Sequence, residues 1–364
     1  MPGLTLPLFP TDVHTHPLLV IDYELVAKHD EKEIDRLWEA ATKLGFWYLK
    51  NHGVIDEAEA MFDMGAETMA LPMEEKMKFE QGDEGMSFGY KAAGANAVDD
   101  TGALDTVEFI NVSKNDAFAW PGKVHRDYPS TVNNRMDSTI KPFIKKSNDI
   151  ILTMMGVFDE RLGLPAGTLA SKHVVDAPSG CEARVIKNPP RQESASETKQ
   201  AIGAHTDFGS LSFLHNKLGG LQVLPPGTTE WQYIKPIPGH AICNVGDALS
   251  VFSGGILRSN LHRVVSPPKE QGAYERWSLV FFSRPARDTE MRALTELSPA
   301  VAAAVTQSGD PDKYNTGQTA GAWFARRIRN QRIKNRTGPE TWHASRGTEH
   351  TDAHLAAQAV RVGA

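Results

Sequence analysis

In AIGAHTDFGSLSFL, residues 201–214, His205 and Asp207 lie two positions apart in an apolar segment where charge is costly to bury. On an extended strand, residues i and i+2 project to one face, so the two side chains can converge on a common point. A third donor, His262, lies in RSNLHRVVS, a similarly apolar and β-branched setting. His-x-Asp followed at long range by His is the composition of a two-histidine, one-carboxylate facial triad. Such a triad takes three corners of an octahedron and leaves three for exogenous ligands, which suits non-haem Fe(II) and oxygen chemistry. Zinc more often takes a tetrahedral set with fewer open positions, and a zinc hydrolase would also need a glutamate base that is not evident near these residues. On these residues alone, a His-x-Asp pair at a strand end that meets water stays open as the simpler alternative.

Downstream in ERWSLVFF stands Arg276, with Ser278 two further along the same strand face. A guanidinium among Trp, Leu, Val and Phe cannot lose its charge and needs an anionic partner. Its planar fork pairs best with a carboxylate, to which a neighbouring hydroxyl can also donate. An internal Asp or Glu would satisfy it equally well, so the residues define an anion site without naming its occupant.

Other polar candidates carry less. His52 and the histidines at 14, 16, 29, 125 and 173 fall in turns or polar segments suited to surface or capping roles, and His215 and His240 near strand ends are structural. Asp247, in NVGDAL, reads as a turn residue. The arginines of FARRIRNQRIKNR read as a solvated basic face. No Gly-x-Gly-x-x-Gly or P-loop pattern follows a strand, so nucleotide binding has no support.

The elements that must position these residues are short strands between Cys181 and Pro285: CEARVIKN, SLSFLH, LQVLP, WQYIKP, AICNVGD, LSVF, SNLHRVVS and RWSLVFFSRP. Short strands punctuated by Gly and Pro predict a sandwich or barrel of jelly-roll type. Upstream, HPLLVIDYELV carries a β-branched run that predicts a strand, DEKEIDRLWEAATKLG predicts a helix closed by Gly45, and FWYLKNHGV has four strand-forming residues followed by an Asn-His-Gly turn. A helix is expected from an N-cap at Asp56 to Leu71, and another over Thr131–Leu162 with a kink or late start at Pro142. Residues 81–122, rich in Gly, Ala and Asn, read as a long functional loop. TAGAWFARRIRNQRI predicts a basic helix, and residues 338–364 lack an apolar period and are expected to be loosely held. The expected organisation is an N-terminal region over 1–122, a helix and jelly-roll core over 123–290, and a C-terminal extension over 291–364, packed as one unit.

The 364 residues carry 39 basic and 45 acidic side chains, a net charge of -6, which gives no reason to expect nucleic acid or an anionic membrane as partner. Two cysteines build no disulfide framework, the opening MPGLTLPLFP lacks a secretory leader's pattern, and no apolar run is long enough to span a membrane. A cytoplasmic protein is expected.

At this point a resemblance becomes specific. HTDFGSLSFL, GGLQVL, NVGDALSVFSGG, LHRVVSPP and ERWSLVFFSRP, in that order, resemble the core of the 2-oxoglutarate and Fe(II)-dependent oxygenases of the isopenicillin N synthase-like group. VIDYEL, LGFWYLKNHGV, LPMEEKMKF and DTVEFINV resemble that family's N-terminal and middle regions, so the similarity spans roughly residues 18–286. It implies an α+β, mainly β fold: a double-stranded β-helix (jelly-roll) core with flanking α-helices. It also implies Fe(II) held by His205, Asp207 and His262, with O2 and 2-oxoglutarate as cosubstrates and ascorbate as a supporting reductant. Arg276 and Ser278 would bind the far carboxylate of 2-oxoglutarate, which is converted to succinate and CO2 as a small organic metabolite is hydroxylated, desaturated or cyclised. The family's Arg-x-Asn-x-Tyr-Pro is here Arg-Val-Ile-Lys-Asn-Pro; Asn188 stands at the tyrosine position and can still donate through its amide. Two relatives keep Arg-x-Ser without using 2-oxoglutarate, so an iron oxidase lacking the keto acid, or a silent small-molecule receptor on the same scaffold, remain alternatives. Substrate contacts are expected from Phe213 and Phe282 on the inner face of the core, and from Phe88, Tyr90 and Phe109 over its mouth.

Overall fold

A strand's side chains alternate between its two faces, and this parity organises the molecule. In the computed structural model, which describes residues 6–192, 196 and 198–347, the strands in chain order are β1 (Val20–Asp22), β2 (Phe46–Lys50), β3 (Gly89–Lys91), β4 (Glu108–Ser113), β5 (Glu182–Asn188), β6 (Gln200–His205), β7 (Leu211–Asn216), β8 (Leu221–Val223), β9 (Gln232–Tyr233), β10 (Ala241–Val245), β11 (His262–Val265), β12 (Arg276–Ser283), β13 (Glu290–Arg292) and β14 (Asn315–Thr319). Eight form one sheet in the order β1-β2-β10-β7-β12-β5-β4-β3, and four form a second, β6-β11-β8-β9. Apart from the parallel pair β1 and β2, neighbours in both sheets are antiparallel.

Between the sheets, Phe109, Ile186 and Val280 of the larger meet Ala201 and Val264 of the smaller. Nearer the other end, Phe46, Tyr48 and Ile242 meet Leu221 and Val223. The opposite face of the larger sheet is packed by the helices Ile55–Met69 and Lys141–Arg161. There Leu279 and Phe281 of β12 join Phe143, Ile151 and Phe158 of the long helix in one apolar core. A sheet packed on both faces needs apolar residues at both parities, and β7, β10 and β12 each carry them on both faces. The result is a double-stranded β-helix core with helices outside, and the larger sheet draws strands from both sides of residue 122.

Local expectations hold where the signal is short-range. The helix Glu31–Lys43 starts at Asp30, whose carboxylate accepts from the Glu33 N–H, and Gly45 follows with φ of 79°. The long helix starts late, at Lys141, with Pro142 in its first turn. Four expectations are corrected. LSVF is part of the helix Asp247–Phe252, because the backbone after β10 turns to cap the metal-side loop. Asp56 is not an N-cap: the helix begins at Ile55 after Val54, leaving Asp56 within its first turn. Residues 81–122 are not one loop, since β3 and β4 extend the large sheet beside β5. Finally, Pro339–Ala344 is helical and Ser345 and Arg346 are buried, so the segment after Gly338 packs on the core through Gly347; residues 348–364 lie outside the described set.

His52, His173 and His215 are all buried, which corrects the surface reading of the first two. His215 contacts His52 and Phe213 through ring edges at 5.3 and 4.7 Å, and burial pushes its pKa down to about 3 and that of His52 to about 4. His173, held between the Leu169 carbonyl and Ser210 Oγ, is pushed to about 4 by the same cause. Their folded pKa values lie below the unfolded value of about 6.5, so protons favour the unfolded chain. Stability is full above pH 6.5 and is lost as the pH falls toward 4. The melting temperature should therefore drop between pH 6.5 and 5, above the range in which carboxylates titrate, and His215→Leu should reduce that slope in circular-dichroism melts.

Candidate functional site

The cavity between the sheets is built by the inner parity of each strand. Arg276, Ser278, Val280 and Phe282 alternate along β12 and all line it, as do Ile186 and Arg184 of β5 and Phe109 of β4. Its empty space, including the part open to solvent at the mouth, is about 1180 Å3. His205, Asp207 and His262, from the smaller sheet and the segment just past β6, line the same cavity.

His205 ends β6 and pairs directly with His262 at the start of β11, so their rings stand 4.2 Å apart. A register shift between His262 and Val264 follows, the kind of irregularity that re-aims side chains beside active sites. Asp207 lies just past the strand, in the turn, and its Oδ1 is 3.7 Å from Nε2 of each histidine. Two ligands about 2.1 Å from one ion can be up to about 4.2 Å apart, so a single cation reaches all three. Among the described residues, the one other cluster of this kind, His29, Glu31 and Glu160, is exposed.

Each donor is prepared by a second contact. His205 Nδ1 lies 2.7 Å from the Gly203 carbonyl and His262 Nδ1 3.1 Å from the Asn260 carbonyl. A carbonyl only accepts, so each Nδ1 carries the proton and each Nε2 presents its lone pair to the metal position. Asp207 Oδ2 accepts from Ser212 Oγ at 2.5 Å and Asn244 Nδ2 at 2.7 Å, leaving Oδ1 for the ion. Burial alone would raise the Asp207 pKa, but when His262 and His205 are protonated their charges and the hydrogen bond from His205, together with that from Asn244, outweigh it and hold the carboxyl well below its usual range. Gly203 is required sterically: a Cβ there would stand 1.8 Å from the Val98 carbonyl oxygen, where the 95–98 segment presses on β6.

Arg276 is 2% exposed and has no carboxylate partner among the described residues. Its Nε donates to the Gly219 carbonyl at 2.7 Å and its Nη1 to Ser278 Oγ at 2.6 Å. Accepting that bond leaves the Ser278 hydroxyl hydrogen to point elsewhere. Burial lowers the Arg276 pKa to about 10, so it is still charged at neutral pH.

The cavity does not gather every expected residue. Phe282 and Phe109 line it. Phe213 does not: in the β7–β12 ladder Ser212 and Leu214 face the cavity, so Phe213 falls on the other parity and packs against His52 and His215. Tyr90 pairs with Ile110 on the helix side and donates to Glu108 Oε2 at 2.6 Å, and Phe88 stacks on His125 at 4.7 Å. Asn188 stands opposite Arg276, yet its Oδ1 accepts from Thr106 Oγ1 at 2.7 Å and it borders a separate crevice with Pro190 and Arg191.

Sequence reasoning missed the C-terminal contribution. Arg327, on the helix Ala320–Gln331, is fully buried: it pairs with Asp247, donates to the Thr206 carbonyl at 3.1 Å and stacks on Phe208 at 4.1 Å. The Asp247 N–H donates in turn to the Asp207 carbonyl at 2.8 Å, and Arg346 donates to the Ala204 carbonyl. The carbonyls on both sides of His205 are thus held by arginines more than a hundred residues downstream. Asp247 is therefore not a simple turn residue, nor is the basic helix a solvated face. A signal was present: Ala320, Trp323, Phe324, Arg327 and Ile328 recur at helical spacing, which places Arg327 on the apolar side.

A buried two-histidine, one-carboxylate triad beside an uncompensated arginine, inside a jelly roll, defines a non-haem iron oxygenase scaffold. The comparisons agree. Residues 181–285 match the family model for the 2OG-Fe(II) oxygenase superfamily, and residues 18–134 match the model described as non-haem dioxygenase in morphine synthesis N-terminal. A 2-oxoglutarate-dependent dioxygenase of Aspergillus fumigatus is 28% identical over 358 residues, covering 89% of this chain and 91% of that protein. A homoarginine-6-hydroxylase of Oryza sativa subsp. japonica is 30% identical over 259 residues, covering 69% of this chain and 76% of its own length. Among solved structures, a full-length Neurospora crassa protein in complex with alpha-KG superposes with a TM-score of 0.70 at 23% identity, over 89% of this chain and 99% of that one. The chain belongs to the 2-oxoglutarate and Fe(II)-dependent oxygenase superfamily. It is a 2-oxoglutarate-dependent dioxygenase acting on small molecules. No helix among the described residues is long and apolar enough to cross a membrane.

Two outcomes test the site. His262→Ala should reduce ferrous iron content after anaerobic reconstitution from one equivalent to a small fraction; full retention would remove His262 from the ligand set. Arg327→Ala strands the buried Asp247 carboxylate and should cost about 3–5 kcal/mol in urea unfolding. The double variant Arg327→Ala, Asp247→Ala should recover part of that loss.

Proposed function

We propose that His205, Asp207 and His262 hold Fe(II), that Arg276 with Ser278 binds the far carboxylate of 2-oxoglutarate, and that the chain hydroxylates, desaturates or cyclises a small organic metabolite placed deeper in the same cavity. The observation carrying this reading is Arg276: a buried guanidinium, charged at neutral pH and without an acidic partner among the described residues, opening on the cavity that holds the triad. Iron bound there would supply the activation of O2 coupled to keto-acid decarboxylation. The protein's part is positional. Carbonyls at Gly203 and Asn260 fix the imidazole tautomers, and Ser212 and Asn244 hold the carboxylate so that one oxygen faces the metal position. Val264, Val280 and Leu221 keep the cosubstrate end dry, which strengthens the arginine–carboxylate pair.

Asn188 is left out of the cosubstrate site, because it borders a separate crevice rather than the cavity that holds Arg276 and Ser278. Tyr90, Phe88 and Phe213 are left out of the substrate site, whereas Phe109 and Phe282 stay in it.

The Fe(II)-loaded protein should convert 2-oxoglutarate to succinate with matching O2 uptake, and O2 uptake should fall to background when the keto acid is omitted. Arg276→Gln should raise the KM for 2-oxoglutarate by about thirtyfold or more, as expected for losing about 2 kcal/mol from a buried charge pair. O2 uptake independent of 2-oxoglutarate would instead favour an iron oxidase.

A further inference from the structure

Beyond the cosubstrate arginine, the cavity wall holds a second group of buried charges. Glu182, fully buried on β5, accepts from Arg184 Nη2 at 2.8 Å and from Arg284 Nη2 at 3.1 Å, both on its Oε1, while Ser87 donates to its Oε2. Burial would raise the Glu182 pKa, but Arg284 and Arg184 outweigh it and keep the carboxylate ionised. Two guanidinium groups therefore share one carboxylate. The other acidic residues on the cavity wall are already matched: Asp105 is locked to Lys91, and Asp207 faces the metal position. With iron and 2-oxoglutarate bound, the cosubstrate's two negative charges, Asp207 and Arg276 bring that end of the cavity to neutrality, so the arginine pair keeps one positive charge in excess; Arg346, the fourth arginine lining the cavity, is held on the Ala204 carbonyl and over the Trp342 ring.

The geometry says where that charge is offered. The Arg184 guanidinium lies over the rings of Phe109 at 4.3 Å and Phe282 at 4.9 Å, which β4 and β12 supply from the two sides of β5. Its Nε is spent on Asn111 Oδ1 at 2.7 Å and its Nη2 on Glu182. Nη1 has no protein partner among the described residues, and the side chain lines the cavity. Arg284 is turned to the wall behind, with Nη1 on the Gly180 carbonyl, so it reinforces the charge without presenting it. Across the cavity, Asn96 Oδ1 is buried without a partner, and Val98, Val107, Ile202 and Leu214 make most of the remaining wall apolar.

We propose that Arg184 is the specificity-determining residue of the substrate site and that the substrate is a small organic acid, a carboxylate on a largely apolar body, docked in plane on the Arg184 edge. This rests on the oxygenase reading above and deepens it. A neutral substrate would leave the excess charge buried beneath it, whereas a carboxylate neutralises it through a charge-assisted hydrogen bond. The apolar body then lies along Ile202 and Leu214 toward the metal position.

The test uses the full chain saturated with Mn(II) and 2-oxoglutarate, titrated calorimetrically with a panel of apolar monocarboxylic acids, aliphatic and aromatic, each paired with its own primary amide. At least one acid should bind about tenfold or more tightly than its amide. Arg184→Gln should reduce that preference to about twofold or less, and Arg184→Lys should restore part of it. Acids and amides binding equally, no member of the panel binding, or a preference that survives Arg184→Gln would each overturn the proposal. Should Arg184→Gln fail to fold, the acid and amide comparison on the unaltered protein decides alone. Succinate release by the Fe(II) protein is measured alongside, with ascorbate as reductant and each member of the panel in turn. Its absence would sink the oxygenase reading, while its presence without acid preference sinks only the anion subsite.

Discussion

Three electron-pair donors held within a few ångströms in a buried wall are an unfavourable arrangement until a cation joins them, and the rest of the architecture serves to maintain it. The direct pairing of His205 with His262 across β6 and β11 brings the imidazoles together, and backbone carbonyls decide which nitrogen of each faces inward. Asp207 reaches the same point from outside the strand, so its direction depends on the turn rather than on the sheet. That turn is controlled by contacts from β7, β10, the helix Asp247–Phe252 and the C-terminal helix. A rigid, preorganised ligand set is the general condition for placing a reactive metal with the accuracy that oxidation of a chosen C–H bond demands.

How much of this was legible in the sequence follows from the range of each signal. The triad and Arg276 with Ser278 could be read because i, i+2 spacing is a local property of extended chain, and charged groups in apolar runs are conspicuous. Phe213 could not be placed, because in a strand packed on both faces hydrophobicity does not reveal which parity looks inward. The ladder with β12 settles it: Ser212 and Leu214 share the cavity face with Val280 and Phe282. LSVF reads as a strand for the related reason that a short apolar run is equally compatible with a buried helical turn. Residues 81–122 looked like loop because their strands are brief and β4, on which β3 pairs, is itself held by β5, some seventy residues away.

The basic C-terminal helix shows a different limit. Composition alone assigns its arginines to solvent, and for Arg329 that is where it points. Arg327 differs only in phase, one position along the helical wheel shared by Trp323, Phe324 and Ile328. Its partner, Asp247, likewise looked like a turn residue because nothing nearby in sequence announces a buried cation. Paired buried charges distant in sequence each look like an anomaly on their own, and only the tertiary structure explains both together.

The Asp247–Arg327 pair also bears on the order in which the chain comes off the ribosome. His205, Asp207 and His262 have all been synthesised some sixty residues before the arginine that steadies the Asp207 turn emerges. A nascent chain therefore carries the imidazoles and the carboxylate well before it can set them rigidly. The turn that aims Asp207 is thus completed only when the helix Ala320–Gln331 docks and its buried arginine meets Asp247.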